Sequence, residues 1–309
     1  MELFYHELSD MSDPAFSTLR YETTHRKAYV TLDRPDRLNA INDEMPEEIR
    51  RAVELANDDP GVHVIILRGA GRSFCAGYDL KLFAERADRA TGGKDRWSQS
   101  DPWDPIADYR EMKRNTDNFF SLWRSLKPTI CQVHGHAVAG GSDIALSCDI
   151  VIMAEDARIG YMPARVWGCP TTAMWVYRLG AEKAKRMLLT GDTIDGRTAA
   201  EWGLVLEAMK TDELEARVEE LADRMAGVPI NQLVMQKLMI NQAYDNMGLQ
   251  GTQVLATLLD GITRHSPEGT WFKEFAERRG FHEAVAWRDS GRWIPSGGEP
   301  IPGAAGEPS

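Results

Sequence analysis

The sequence predicts an α/β fold of stacked ββα units, followed by a helical C-terminal region. The segment "KAYVTLDRP", which starts at Lys27, alternates in polarity and is rich in β-branched residues, as strands are, and Pro35 ends it. An amphipathic helix comes next, and then the apolar run "VIIL", which is typical of a strand covered on both faces. Strand, helix and strand in close succession is the pattern of α/β proteins. Beyond Gly203 the pattern is helical.

The first helix has clear start signals. Asn42 or Asp43 is expected to cap it, and Pro46 falls in its first turn, where a missing N–H is tolerated. Its apolar residues recur at helical spacing, and they predict one buried stripe made of Met45, Ile49, Ala52, Val53 and Ala56.

A second unit of the same kind follows later in the chain. The segment "PTICQVHGHAV" predicts a strand, "GGSDIALSC" a helix and "DIVIMAED" another strand. Glycine weakens helices, so the pair Gly140 and Gly141 at the start of this helix needs a reason. Two explanations remain open, namely a closely packed corner and a site where backbone N–H groups must approach a ligand.

We expect three regions in the chain. Residues 1–205 form the ββα core, with a loosely held lead-in over residues 1–20, and residues 206–288 form the helical region. The Pro- and Gly-rich residues 289–309 are expected to be a flexible tail. The polar segment 85–108 interrupts the core, and it is either a mobile lid or pocket wall, or a disordered surface insertion.

Charge and cysteine usage exclude several classes of protein. The formal net charge of -11 over 309 residues disfavours a general nucleic-acid surface, because such surfaces are basic. No basic start followed by an apolar run opens the chain, so we expect no signal peptide. Histidines and aspartates interrupt the longest apolar region, residues 129–153, so we expect no membrane span. The cysteines follow no CxxC or zinc-ligand spacing. We therefore expect a cytoplasmic protein with no metal site and with reduced thiols at Cys75, Cys131, Cys148 and Cys169.

Two segments are suited to direct backbone N–H groups at one spot. In "GRSFCAGYDL", Ala76 and Gly77 can turn tightly enough to leave an N–H unpaired. At Gly140 and Gly141, the first N–H groups of a helix are free and the helix dipole favours negative charge. Together the segments predict an oxyanion hole, which would polarise a thioester carbonyl and stabilise an enolate. A close-packed turn is the alternative for each segment alone.

Four ordered motifs resemble those of the crotonase, or enoyl-CoA hydratase/isomerase, superfamily. They are "RPDRLNAIN" (34–42), "GAGRSFCAGYDL" (69–80), "HGHAVAGGSDIALSCDIVIMAEDARIG" (134–160) and "LTGDTIDGRTAAEWGLV" (189–205). The likeness runs from about Tyr21 to the helices near residue 265. It implies a crotonase-like spiral of stacked ββα units, a C-terminal helical oligomerisation region, and acyl-CoA substrates held in a bent pose.

The resemblance implies a CoA-binding role for four residues. Arg37 and Leu38 match the segment that lies along CoA, and Asp79 and Leu80 match positions near the adenine. For Arg37, a solvated surface arginine is the alternative. CoA is part of the substrate, so no separate cofactor is implied.

The resemblance also implies the catalytic residues. The oxyanion donors fall on Ala76 and Gly140, and the first of the family's two catalytic glutamates falls on Asp143. The second glutamate position falls on Ala164, which cannot transfer a proton. In this respect the sequence is an atypical member. Asp143 is then either a lone catalytic base or a first-turn aspartate that stabilises the start of its helix.

Three side chains are candidates to replace the missing carboxylate. Tyr161 and Arg165 flank Ala164, and His136 is close in sequence to the second oxyanion donor. Each also has a purely structural interpretation, as a half-buried strand tyrosine, a surface or phosphate-facing cation, and a core imidazole.

The expected activity is hydration, dehydration or double-bond isomerisation of an enoyl-CoA. Hydrolysis or decarboxylation through the same oxyanion hole is an alternative, and Ala164 favours it. An acyl-CoA binder without catalytic activity is a third possibility, from a different class. The expected partners are an acyl-CoA thioester and further copies of the chain, as a homotrimer or homohexamer, with neither nucleic acid nor membrane.

Overall fold

The computed structural model describes residues 16–80, 82, 103–296 and 301. Residues 1–15 of the expected lead-in and residues 85–102 of the polar segment lie outside the described residues. Within the described part of the chain, no helix has both the length and the apolar character that crossing a membrane requires.

The strands of the described residues form two sheets. In chain order they are β1 (Leu19–Thr24), β2 (Lys27–Leu32), β3 (Val64–Gly69), β4 (Thr129–Val133), β5 (His136–Val138), β6 (Ile150–Ala154), β7 (Arg158–Gly160), β8 (Thr193–Asp195) and β9 (Glu207–Met209). The larger sheet has the order β1-β2-β3-β4-β6-β9, in which only β1 and β2 are antiparallel neighbours. The smaller sheet has the order β5-β7-β8. The apolar run of β3 is buried, as its sequence predicted.

The chain steps twice from the larger sheet to the smaller one, from β4 to β5 and from β6 to β7. These steps confirm the stacked ββα units. The segment "PTICQVHGHAV" is therefore two strands rather than the one expected. Gly135 makes the step between them with a φ of +62°, and a Cβ there would lie 2.3 Å from the carbonyl oxygen of Arg72. Only glycine fits such a corner without strain.

The helices of the described residues surround the sheets. They are α1 (Met45–Asp58), α2 (Pro105–Arg124), α3 (Gly140–Leu146), α4 (Met174–Leu188), α5 (Gly196–Trp202), α6 (Thr211–Ala226), α7 (Ile230–Asn246), α8 (Leu249–His265), α9 (Pro267–Arg279) and α10 (Phe281–Asp289). The residue that directly precedes α1 is Glu44 rather than the predicted Asn42 or Asp43, and its side chain makes no capping hydrogen bond. Asn42 still contacts the start of the helix, since its Oδ1 accepts the N–H of Met45 at 3.1 Å. The whole predicted stripe of α1 is buried in the main core.

The C-terminal helices complete two separate apolar clusters. α6 packs against β3, β4 and β6 through Leu214 and Val218, which belong to the main core. α8 packs against α2, and α9 packs against α10. Around α9 and α10 a second cluster forms, to which Val166, Phe272 and Phe281 contribute. The second cluster fixes the last helices next to the turn that follows β7.

The segment after α10 is described only in part. The helix ends at Asp289, and Ile301 is 3% exposed and belongs to the second cluster. A buried isoleucine is a contact that a linker would not make.

Candidate active site

A cavity of about 390 Å³ lies where the segment around Ala76 and the start of α3 meet the C-terminal helices. Six of the seven sequence-predicted site residues line it, namely Arg37, Ala76, Asp79, Leu80, Gly140 and Asp143. Leu38 is not among its lining residues. Residues that are far apart in sequence therefore share one space, although their individual contacts differ from expectation in several places.

Both glycines at the start of α3 are required by packing. A Cβ on Gly141 would lie 2.3 Å from the carbonyl oxygen of Cys75, and a Cβ on Gly140 would lie 2.8 Å from Cδ1 of Ile41. The N–H of Gly140 makes no hydrogen bond within the described part of the chain. Both explanations for this glycine pair therefore apply. The corner is closely packed, and this packing brings an unpaired amide to the wall of the cavity.

The structure corrects the expectation for the amide of Ala76. Its N–H is not unpaired, because it donates to the carbonyl oxygen of Leu38 at 3.0 Å. Two residues later the chain forms a parallel bridge with Ile41, in which Ile41 N–H donates to Gly77 and Asp79 N–H donates to Ile41, both at 2.8 Å. In a parallel bridge the amide of the middle residue points away from the partner strand. That residue is Tyr78, which also lines the cavity.

The predicted CoA-binding residues divide into cavity-lining and structural groups. Arg37 has a half-exposed side chain, 3.7 Å from Asp36. Leu38 takes a left-handed conformation with φ of +51°, and its carbonyl oxygen holds the Ala76 amide. The carboxylate of Asp79 is 8% exposed and pairs with Arg34 at 2.9 Å. Asp79 therefore also fixes the loop that carries the cavity wall.

Asp143 is a buried acid without an ion pair in the described residues. It lies in the first turn of α3, is 3% exposed, and accepts a hydrogen bond from the hydroxyl of Thr172 at 2.6 Å. Burial raises the pKa of Asp143 to about 7, while the hydrogen bonds from Thr172 oppose this rise and the charge of Asp260 adds to it. Both protonation states of Asp143 are therefore accessible near neutral pH, which suits a group that takes and returns a proton.

The structure separates the three candidates that were considered in place of a second glutamate. Ala164 lies in a 3₁₀ turn and is not a lining residue of the cavity. Arg165 is held by Asp192 at 2.9 Å and by backbone oxygens, and it does not line the cavity. His136 does not line the cavity either, and because it is exposed, its interpretation as a core imidazole is wrong. Tyr161 does line the cavity, and its hydroxyl donates to the carbonyl oxygen of Cys169 at 3.0 Å.

A second acid in the cavity was missed by the sequence reasoning. Asp260 of α8 is 4% exposed and accepts from the N–H of Cys169 at 2.9 Å. Arg264, one turn later, pairs with Asp260 at 3.1 Å and with Asp108 of α2 at 2.9 Å. In sequence, an aspartate and an arginine four residues apart resemble an ordinary surface pair of a helix.

The available signal lay in the polarity pattern of α8, which is inverted. Its buried face carries polar side chains at helical spacing, namely Gln253, Thr257, Asp260 and Arg264. Its exposed face is apolar and carries Val254, Leu255, Leu258, Leu259 and Ile262. A helix with a polar face turned inward lines a polar site or a network, because isolated polar groups are costly to bury.

Basic residues of the last two helices were also missed. Lys273 of α9 and His282 and Arg288 of α10 line the same cavity. Lys273 and Arg37 place positive charge at this cavity in a chain whose formal net charge is -11, and Arg288 is paired with Asp289 at 2.7 Å. Such a set is suited to an anionic ligand.

All four cysteines are free thiols, and Cys75, Cys131 and Cys148 are buried. Burial raises the pKa of the Cys75 thiol to about 12. A thiol of this kind is not nucleophilic at neutral pH.

Comparison with known proteins identifies the family. An enoyl-CoA hydratase from Mycobacterium smegmatis has a similar structure, with a TM-score of 0.84 and 46% sequence identity over 90% of this chain and 95% of that one. An enoyl-CoA hydratase/isomerase from Xanthobacter autotrophicus Py2 has a TM-score of 0.80 and 32% identity over 89% and 98% of the two chains. The 1,2-epoxyphenylacetyl-CoA isomerase of Escherichia coli is 32% identical over 231 residues, which are 70% of this chain and 79% of that protein. The family model for enoyl-CoA hydratase/isomerase matches residues 22–284, and the chain therefore belongs to this crotonase-fold family.

Proposed function

We propose that this chain is an acyl-CoA enzyme that moves a proton at the carbon next to a thioester carbonyl, through an enolate. The net reaction is hydration of an enoyl-CoA, its reverse, or isomerisation of the double bond. The observation that carries the proposal is the side chain of Asp143, a buried carboxylate without an ion pair in the described residues, on the same cavity as the amide of Gly140. Family membership supports the substrate class.

The enolate oxygen would be held by two backbone amides, those of Gly140 and Tyr78. Support for Gly140 comes from its unbonded N–H at the start of α3. Support for Tyr78 comes from the bridge to Ile41, which turns the Tyr78 amide to the opposite side of the strand. A donor of this kind contributes roughly 3 kcal/mol to the stability of the transition state. Tyr78 replaces Ala76 in this assignment, because the amide of Ala76 is already bonded.

Asp143 would exchange a proton with the α-carbon. A general acid or base works best when its pKa lies near the working pH, and burial raises the pKa of Asp143 to about 7. Asp143 is 3% exposed, and burial of this kind strengthens electrostatic interactions.

The phosphates of CoA would lie near the basic side chains of Arg37, Lys273 and His282. These side chains line the cavity and come from two distant parts of the chain. The adenine would lie near Asp79 and Leu80, as the resemblance implies.

The chain would act as a homotrimer or homohexamer. Support comes from the large apolar side chains on the surface of α7 and α8, among them Met239, which is 60% exposed, and Leu255, which is 56% exposed. Large apolar side chains that are exposed over several turns of two consecutive helices indicate an interaction site.

The test measures two reactions of the same protein. In D₂O, a saturated acyl-CoA such as butyryl-CoA is expected to gain deuterium at its α-carbon, as seen by mass spectrometry, because Asp143 and the oxyanion hole suffice for that step. With a panel of enoyl-CoAs, loss of the conjugated thioester absorbance reports net turnover. Asp143→Asn is expected to slow both reactions by about 10²- to 10⁴-fold. The matched control is Asp212→Asn, an exposed first-turn aspartate of α6, which should change neither.

The proposal fails if the unaltered protein neither exchanges the α-proton nor converts any enoyl-CoA, or if Asp143→Asn exchanges at the original rate. Release of free CoA thiol at the rate of substrate loss would instead indicate hydrolysis.

A further inference from the structure

The cavity holds a second buried carboxylate that the proposed enolate chemistry does not use. Asp260 of α8 and Asp143 of α3 both line it, and each is less than 5% exposed. Thr172 and Gln253 connect the two helices, since Thr172 donates to Asp143 at 2.6 Å and the Gln253 side chain donates to the carbonyl oxygen of Thr172 at 3.0 Å. Gln253 and Asp260 lie two turns apart on the same face of α8, so one helix face carries both contacts.

The two carboxylates have different surroundings. Within the described residues, the hydrogen bonds to the Asp143 carboxylate come from the hydroxyl and backbone of Thr172, whereas Asp260 has the amide of Cys169 on Oδ1 and the guanidinium of Arg264 on Oδ2. Burial raises the pKa of both groups, but Arg264 and Cys169 oppose the rise for Asp260. The anion of Asp260 is thus held by a cation and an amide, whereas Asp143 has no ion pair in the described residues and burial favours its protonated form. Two acids in one cavity whose surroundings differ in this way are suited to separate acid and base roles.

Arg264 orients Asp260 without neutralising the cavity. Its guanidinium is shared with Asp108, at 2.9 Å, so one cation faces two carboxylates. Asp108 does not line the cavity. Each oxygen of Asp260 has accepted a hydrogen bond from the protein, and a carboxylate oxygen can accept a second one. Asp260 can therefore receive a hydrogen bond from a water molecule in the cavity.

We propose that Asp260 is the catalytic base that activates water, and that the reaction at this site is hydration of an enoyl thioester. The inference rests on the proposed function, because it requires the enolate that Asp143 and the oxyanion amides serve. Asp260 takes a proton from water while the water oxygen forms a bond to the β-carbon. The electron pair of the double bond moves to the α-carbon and the thioester oxygen, giving the enolate. Protonated Asp143 then delivers its proton to the α-carbon, and solvent returns the proton from Asp260 to Asp143.

The position of Asp260 explains how the site works without a carboxylate at residue 164. Ala164 is in the 3₁₀ turn outside the lining of the cavity, whereas Asp260 reaches the cavity from α8. The base is thus supplied by the C-terminal helical region rather than by the ββα core.

The experiment compares hydration of a trans-2-enoyl-CoA with α-proton exchange of butyryl-CoA in three variants. Asp260→Asn keeps an acceptor for the Cys169 amide but cannot take a proton, so hydration is expected to fall by about 10²- to 10⁴-fold while exchange stays within threefold. The matched control, Asp108→Asn, removes the other partner of Arg264 and should leave hydration within tenfold. Asp260→Glu keeps the charge but displaces it by about one C–C bond, so hydration should fall at least tenfold with exchange retained.

Several results overturn the inference. They are hydration by Asp260→Asn within threefold of the original rate, an equal loss of hydration and exchange in that variant, or exchange without hydration of any enoyl-CoA in the unaltered protein. If Asp260→Asn does not fold, undiminished hydration by Asp260→Glu also overturns it. The proposed function fails separately, when the unaltered protein neither exchanges the α-proton nor converts any enoyl-CoA.

Discussion

At the scale of single residues, burial gives Asp143 a pKa suited to proton transfer but makes its ionised form unfavourable for the stability of the fold. As a first-turn aspartate it would be expected to stabilise the start of α3 and to have a lowered pKa. Instead, burial without a cation raises its pKa from 3.8 to about 7. The folded state therefore binds this proton more tightly than the unfolded state does. Protonation of Asp143 therefore adds to the free energy of unfolding. This contribution is fully present below about pH 4 and is lost as the pH rises through about 7.

Replacement of Asp143 by asparagine should therefore stabilise the protein at high pH. One pKa unit corresponds to about 1.4 kcal/mol, so the advantage of Asp143→Asn should grow by about 2 kcal/mol between pH 5.5 and pH 8. Urea unfolding at the two pH values measures it. The exposed control Asp212→Asn should show no such difference. An asparagine variant that is less stable than the parent at pH 8 would mean that the ionised carboxylate is favourable where it lies.

Single residues also show how far the sequence determines the site. The close packing at the start of α3 could be predicted from its glycine pair, because a Cβ on Gly141 would meet Cys75 and a Cβ on Gly140 would meet Ile41. In the segment around Ala76, the residue whose amide faces the cavity could not be predicted. Which amide of the tight turn points outward depends on the hydrogen bonds to Leu38 and Ile41, which are remote in sequence and set by the tertiary register.

At the scale of elements, α8 performs two tasks with its two faces. The inward face carries Asp260 and Arg264 to the cavity, and the outward face is apolar over several turns. A helix of a monomer has the opposite arrangement. The simplest physical explanation is a partner surface over the apolar face, which supports the proposed oligomer.

A charge in the middle of that face should dissociate the oligomer. Leu258 is 38% exposed and belongs to the apolar face of α8, so Leu258→Glu would bury an unpaired carboxylate in the interface. Its cost is expected to weaken self-association by about a hundredfold or more, which is roughly 3 kcal/mol. Light scattering after size exclusion gives the mass of each species. The matched control is Leu189→Glu, since Leu189 is 80% exposed and lies outside α7 and α8. A parent protein that is monomeric at micromolar concentration would contradict the prediction.

Secondary structure was predictable where periodicity and capping agree. α1 has both, and its buried stripe is as expected, while Asn42 accepts the N–H of Met45 from two residues before the observed cap, Glu44. The step at Gly135 was not recognised, because β4 and β5 are separated by only two residues and differ in the sheet they join rather than in composition. The inverted pattern of α8 is visible in the sequence, but which of its faces lies inside depends on its packing against α2.

At the scale of the whole molecule, the C-terminal helices cover the cavity of their own chain. Phe281 and Lys273 line the cavity, and Phe281 belongs to the second cluster together with Val166 of the core region. The second cluster is therefore what keeps the basic side chains of α9 and α10 at the proposed CoA site. The direction in which these helices fold back is decided by side-chain packing between distant segments, and a single sequence does not specify it.

The segment after α10 also contributes to the second cluster, through Ile301. It is 3% exposed and packs in the second cluster, so its truncation to alanine should cost about 2–4 kcal/mol in the stability of that cluster. Amide hydrogen exchange in α9 and α10 is expected to become about 30-fold faster or more in Ile301→Ala, and β3 and β4 should be unaffected. Trp293→Ala is the control, because Trp293 is 68% exposed and outside the cluster.

If exchange in α9 and α10 is unchanged in Ile301→Ala and in a chain that ends at Asp289, the residues after 289 are the dispensable linker that their composition predicts. If exchange rises in both, KM for an acyl-CoA should rise with it, because the same helices hold Lys273 and His282 at the cavity.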